Sequence, residues 1–183
     1  MQTIPRVSIQ EADFNVTDEV TALRAKDPRV GAVCSFVGTV RDRNAPTLAT
    51  SCAALPPEGA LTPWRGPATP ESVLSMELEH YPGMTEKSIE AMIDEAFKRF
   101  DIYAVRVIHR VGVLQPMDQI VLVAVTSAHR GESFQACEFL IDYLKTQAPF
   151  WKKEQTPEGA HWVDARVSDD AALAKWGIAT SNA

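Results

Sequence analysis

Three short stretches carry the side chains best suited to chemistry. Each stands at the end of an apolar run, where site residues usually sit. Arg41 closes the Val- and Phe-rich run VGAVCSFVGTVR at residues 30–41. Ser127-Ala128-His129-Arg130 ends and follows the nearly continuous apolar run QIVLVAVTS. Lys145 lies in LIDYLKTQ, and Lys152 and Lys153 follow Phe150-Trp151. Arginine offers a planar fork that fits phosphate or carboxylate oxygens. A His-Arg pair at a strand-to-helix junction sits beside the free N–H groups and positive dipole end of the helix, which attract anions. Each stretch also has a plain structural explanation. A lone arginine at a strand end is solvated, a junction histidine packs locally, and a lysine in the last helical turn favours the dipole. Lys152 and Lys153 are neighbours on a strand, so they point to opposite faces and only one of them lines a given pocket. Together, Arg41, His129, Arg130, Lys145 and Lys152 describe a cationic pocket for a phosphorylated small molecule or a carboxylate. They do not specify a reaction.

The remaining composition narrows the field. The chain has 183 residues, of which 45% are hydrophobic and 23% charged, the balance of an ordinary globular protein with a core large enough to need no staple. A net charge of −6 argues against broad nucleic-acid binding. The locally basic run KTQAPFWKKE on an acidic chain instead suits a small anion. Cys34, Cys52 and Cys137 have no paired spacing, and the N-terminus shows no basic-then-apolar leader. Both features point to the cytoplasm. No apolar run approaches the roughly 20 residues of a membrane span. His80, His109 and His161 fall in strand or hairpin patterns and read as structural. No Cys/His cluster has metal-ligand spacing, and GxGxxG, P-loop and HExxH motifs are absent, so neither a metal nor a nucleotide cofactor is expected.

The elements that must position these residues follow from periodicity. A short strand at 5–10 precedes a helix capped by Thr17, with Asp18 and Glu19 in its first turn. Residues 30–41 form a strand. Residues 45–72 hold six of the twelve prolines and no sustained period, which reads as an irregular insertion. Alternation of Leu74, Met76 and Leu78 with polar neighbours gives a half-buried strand at 73–81. An amphipathic helix at 85–100 buries Ile89, Met92, Ile93, Ala96, Phe97 and Phe100. Strands follow at 103–113 and 119–127, joined by a turn at 115–118, and the second of them should be central. A helix at about 132–147 buries Phe134, Cys137, Leu140, Ile141 and Leu144 and ends before Pro149. The tail makes a hairpin turning at TPEG, and Ser168 caps a last short helix. The class is α+β, a mixed sheet with packed helices plus a small β extension, in a single domain over 1–183.

Several ordered segments resemble the large, catalytic subunit of molybdopterin synthase. They are GAVCSFVGTVRDRN at 31–44, LEHYPGMTEKSIEAMIDEA at 78–96, the long stretch from VIHRVGVLQP to APFWKKE at 107–154, and TPEGAHWVDAR at 156–166. The resemblance implies an α/β-hammerhead-like fold. It also implies a homodimer in which each half binds a small ubiquitin-like subunit, giving a heterotetramer. The small subunit's C-terminal Gly-Gly tail carries a thiocarboxylate and delivers sulfur to cyclic pyranopterin monophosphate. Two transfers, through a hemisulfurated intermediate, build the dithiolene of molybdopterin. The family's substrate-binding positions fall on Thr39-Val40-Arg41, His129-Arg130 and Lys152-Lys153-Glu154. Its catalytic lysine falls on Lys145, with Lys152 as a second, and Arg166 resembles an arginine given across the dimer interface. No metal or organic cofactor is implied, because the partner supplies the sulfur.

The chain departs from the family pattern at 45–72, where typical members have a much shorter loop. This insertion follows Arg41 and is expected to hang beside the site, either as a disordered excursion or as a segment that acts as a lid or alters docking of the small subunit. The alternative reading of the whole chain is a non-catalytic binding module of the same fold. Retention of both Lys145 and Lys152 speaks against it.

Overall fold

The computed structural model describes residues 4–25, 27–42, 73–157, 159–163 and 175–177. The insertion expected at 45–72, Arg166 and the cap expected at Ser168 lie outside the described residues. Among the described residues the chain runs β1 (Val7–Gln10), α1 (Val16–Arg24), β2 (Ala32–Thr39), β3 (Ser75–His80), α2 (Met84–Arg99) and β4 (Ile102–Arg110). It continues through β5 (Gly112–Leu114), β6 (Gln119–Ser127), α3 (Arg130–Gln147), β7 (Phe150–Thr156) and β8 (Gly159–Val163). None of the helices described is long and apolar enough to cross a membrane.

The first sheet has the order β1-β4-β6-β2. β1 is parallel to β4, and the other pairs are antiparallel. β6 lies inside the sheet, with residues 122–127 buried throughout, as its unbroken apolar run demands. α2 and α3 cover one face over a core of Ile93, Val107, Val123, Phe139 and Leu140. The other face carries α1 over Phe14, Ile108, Leu122 and Ala124. The expected α+β architecture is thus present.

The expected β extension is a full antiparallel sheet of order β5-β3-β7-β8. The tail hairpin turns where expected, with the Thr156 hydroxyl donating to the Gly159 carbonyl. The strand read as 103–113 divides between the two sheets. Gly112 has φ +81°, a left-handed conformation that costs glycine little, and there the chain leaves the first sheet for the second. Val40, Met76, Leu78 and Leu114, with Ile120 against them, form the core that joins the two sheets.

Three helical expectations need correction. In α2, Phe97, expected in the buried stripe, is 37% exposed. Asn15, not Thr17, caps α1: its side-chain oxygen accepts from the Thr17 and Asp18 N–H groups. Thr17 falls in the first turn. In α3, Phe134 is 59% exposed while Phe139 is fully buried. Packing of α2 beside α3 turns the buried arc toward Phe139, which meets Phe100 and Trp176 edge-on.

The turn between β5 and β6 stores strain. Met117 has φ +79° and follows Pro116, the geometry of a type II turn, which favours glycine at that place. The turn is held by the Asp118 N–H donating to the Gln115 carbonyl and by the Asp118 carboxylate accepting from the Gln115 N–H. The Met117 side chain is 86% exposed, so little packing offsets the strain. Met117→Gly is expected to raise stability by roughly 1 kcal/mol. Urea unfolding would register this as a higher midpoint at unchanged slope.

Candidate active site

Strand β2 delivers Thr39, Val40 and Arg41 to one end of the first sheet. A bulge between Gly38 and Thr39 ends its regular pairing with β6. Thr39 and Arg41 are exposed, but Val40 is 2% exposed. The Val40 N–H donates to the Asp118 carbonyl at 2.9 Å, and its carbonyl accepts from the Met117 N–H at 2.8 Å. Val40 therefore serves as an anchor that aims its neighbours; its side chain is not presented to a ligand.

Lys145 reaches the same end by another route. α3 starts directly after β6 and packs back along β6 and β2. Its 18 residues span about 27 Å at 1.5 Å each, so its last turn arrives where β6 begins and β2 ends. Lys145 is exposed there, and a cation suits the helix C-terminus.

Lys152 and Lys153 face opposite ways, as strand geometry requires. Lys153 lies 3.7 Å from Glu77 and 5.6 Å from the Trp162 ring centre, on the open face of the second sheet. Lys152 pairs with Leu78 across the sheet. It shares the face on which Met76 and Leu78 pack against Val40. Its ammonium forms an ion pair with Glu154, whose side chain is 1% exposed. A carboxylate buried this deeply is sustained only by charge-matched partners. Two strand residues apart, Lys152 and Glu154 point the same way, a signal that was present in the KKE run but reached Glu154 only through family resemblance.

His129 and Arg130 stand elsewhere. His129 is the N-cap of α3 and, like Arg130, is exposed. The junction is tight: Gly31 donates to the Ser127 carbonyl, and a Cβ at Gly31 would come within 2.3 Å of the Ala128 oxygen. Ala32 pairs with Ser127 and Thr39 with Gln119. The His-Arg pair and Arg41 are therefore at opposite ends of β2, roughly 25 Å apart at about 3.3 Å per residue. The expectation of one cationic pocket holding Arg41, His129, Arg130, Lys145 and Lys152 needs correction. Within one chain, His129-Arg130 stands at the opposite end of β2 from Arg41, while α3 carries Lys145 toward the Arg41 end and Lys152 lies on the face of the second sheet that packs on Val40.

Between the lysines, Phe150 opens β7 and stacks on His109 of β4, with ring centres 3.8 Å apart and planes 17° apart. The His109 Nδ1 lies 2.8 Å from the Arg110 carbonyl oxygen. Burial pushes this imidazole down to about 4 from the usual 6.5, with the nearby His80 adding to the effect and the Arg110 contact opposing it. The folded state thus binds fewer protons here than the unfolded chain between those two values. Stability contributed by neutral His109 is present above pH 6.5 and is lost as pH falls toward 4. We expect a loss of roughly 2 kcal/mol, allowing for the part of the ring that water reaches. The slope of unfolding free energy against pH over that window should flatten in His109→Phe.

The comparisons with known proteins bear on this arrangement. Residues 9–147 match the model of the MoaE protein family, a span that takes in Arg41, His129, Arg130 and Lys145. The chain belongs to the MoaE family. It is 54% identical over 180 residues to the molybdopterin synthase catalytic subunit of Ralstonia nicotianae, covering 98% of this chain and 89% of that protein. It is 43% identical over 171 residues to the molybdopterin synthase catalytic subunit of Escherichia coli, covering 93% and 97%. Among solved structures, the molybdopterin biosynthesis MoaE protein of Burkholderia ambifaria superimposes with a TM-score of 0.71 at 49% identity, covering 96% of this chain and 99% of that one. MoaE membership agrees with the two-sheet α+β fold and with the resemblance carried by the EHYPGM, SAHR and APFWKKE segments.

Proposed function

We propose that the chain is a molybdopterin synthase catalytic subunit that moves sulfur from a partner's C-terminal thiocarboxylate to cyclic pyranopterin monophosphate. What supports this reading is that Lys152 shares the face of the second sheet that packs on Val40, the neighbour of Arg41, while α3 carries Lys145 along β6 and β2 toward the same end. Arg41 suits the cyclic phosphate. Lys145 polarises the thiocarboxylate carbonyl or carries a proton as sulfur attacks in this reading, and Lys152 balances charge on the pterin side. Thr39 and Glu154 join the substrate-binding set, with Glu154 holding Lys152; Lys153, included by resemblance, lies on the opposite face of β7, beside Glu77 and Trp162. The sulfur comes from outside the chain: Cys137 is buried in the core, and burial pushes its thiol well above the usual range, which leaves it a poor nucleophile. Cys34 packs against the same core. Free thiols fit a reducing compartment, and the proposed location is the cytoplasm.

The partner is a small ubiquitin-like subunit with a C-terminal Gly-Gly thiocarboxylate, and the assembly is a heterotetramer built on a homodimer of this chain. The separation of His129-Arg130 from Arg41 supports the homodimer. β2 is an edge strand of the first sheet. Two copies meeting along β2 about a two-fold axis run antiparallel. That arrangement brings His129-Arg130 of one copy beside Arg41 of the other and completes two cationic sites. Arg166, by resemblance, is contributed across the same interface.

Reconstitution tests the function. The purified chain, mixed with thiocarboxylated small subunit and cyclic pyranopterin monophosphate, is expected to yield molybdopterin. Absence of product with a partner known to be competent would leave a binding module on this fold.

A further inference from the structure

We propose that His109 is a positioning residue: its stack on Phe150 ties β7 to the first sheet and so sets the spacing between Lys145 and Lys152. The inference rests on the sulfur-transfer reading of those lysines. Lys145 belongs to the helix that packs on the first sheet, whereas Lys152 belongs to a strand of the second. Two bodies of structure therefore have to be held in register. The link between them is short. α3 ends at Gln147, and β7 begins at Phe150.

Several contacts fix this link. The Phe150 N–H donates to the Ala148 carbonyl at 2.9 Å, and the Thr85 hydroxyl donates to the Pro149 carbonyl at 3.2 Å. Phe150 also faces His80 of β3 across the second sheet, and His80 lies 3.9 Å from Glu86. Phe150, Lys152 and Glu154 alternate onto one face of β7, so the orientation of the Phe150 ring and that of the Lys152 side chain are coupled through two residues of strand. His109 stacks on this ring at 3.8 Å and nearly parallel, and Phe150 also packs against the core beneath the first sheet. It pairs with Val121 of β6, close to where that strand begins and where Lys145 arrives. The contact with the Arg110 carbonyl fixes the plane of the imidazole. A neutral ring is what the stack needs, and a phenyl ring supplies the same flat surface.

The test compares His109→Ala, which removes the stack, with His109→Phe, which keeps it. In the reconstituted reaction, His109→Ala is expected to lose about 10- to 100-fold in kcat, with KM for the small subunit nearly unchanged. His109→Phe is expected to restore kcat with the same pH profile as wild type. Both are assayed at a temperature at which their circular dichroism is native. A second readout needs no turnover: a short amine-reactive cross-linker is expected to join Lys145 to Lys152 in wild type and His109→Phe, and to lose that product in His109→Ala. Wild-type kcat and cross-linking in His109→Ala would overturn the proposal. Failure of His109→Phe alongside His109→Ala would overturn it too, since the ring nitrogens and not the stack would then matter. An inactive wild type with stack-dependent cross-linking would strike the sulfur-transfer reading alone.

Discussion

Lys145→Ala is expected to lower the rate of molybdopterin formation by roughly 10²- to 10³-fold, the usual effect of deleting a group that stabilises charge in the reaction. The variant is clean because Lys145 is exposed in the last turn of α3. Its removal forfeits only a dipole interaction of about 0.3–1 kcal/mol, so the fold survives. Lys152→Ala is less clear, because it also takes the ammonium away from a carboxylate buried to 1% exposure, and lost stability then mixes with lost chemistry. A single-turnover assay with the thiocarboxylated partner in excess separates binding from the chemical step. Wild-type affinity with a slow step is the expected pattern. Normal turnover by Lys145→Ala would end the assignment of this lysine as catalytic and favour a binding module.

How far the sequence reaches can be judged from individual residues. The central place of β6 was legible because an unbroken apolar run has nowhere to go but inside a sheet. The tail hairpin was legible because TPEG is turn chemistry. Opposed lysines followed from the period of two in any strand. The split of 103–113 was hidden, because both halves are apolar and the break depends on the φ of Gly112 alone. The exchange of Phe134 for Phe139 in the buried arc of α3 depends on α2 packing alongside, which no local period records. The hardest point was the distance between Arg41 and His129-Arg130. Each stood at the end of an apolar run, and only the antiparallel register of β2 on β6, a non-local fact, puts those ends apart.

That distance leads to a sharper test of the dimer. If each site takes Arg41, Lys145 and Lys152 from one copy and His129-Arg130 from the other, a chain carrying Lys145→Ala and a chain carrying Arg130→Ala should each be nearly inactive alone and recover activity together. In a mixed dimer, one site collects both lesions. The other takes Lys145 from the Arg130→Ala chain and Arg130 from the Lys145→Ala chain, and is intact. Random assortment of equal amounts makes half the dimers mixed, each with one good site, so about a quarter of wild-type activity is expected. Two affinity tags on co-expressed chains would isolate the mixed species, whose activity should approach about half. Sites contained within one chain predict a different result, since every site would then carry a lesion and mixing would restore nothing. Recovery would therefore place His129-Arg130 across the two-fold axis. Its failure in verified mixed dimers would remove the pair from the site altogether, because the register of β2 on β6 holds it too far from Arg41 within one chain.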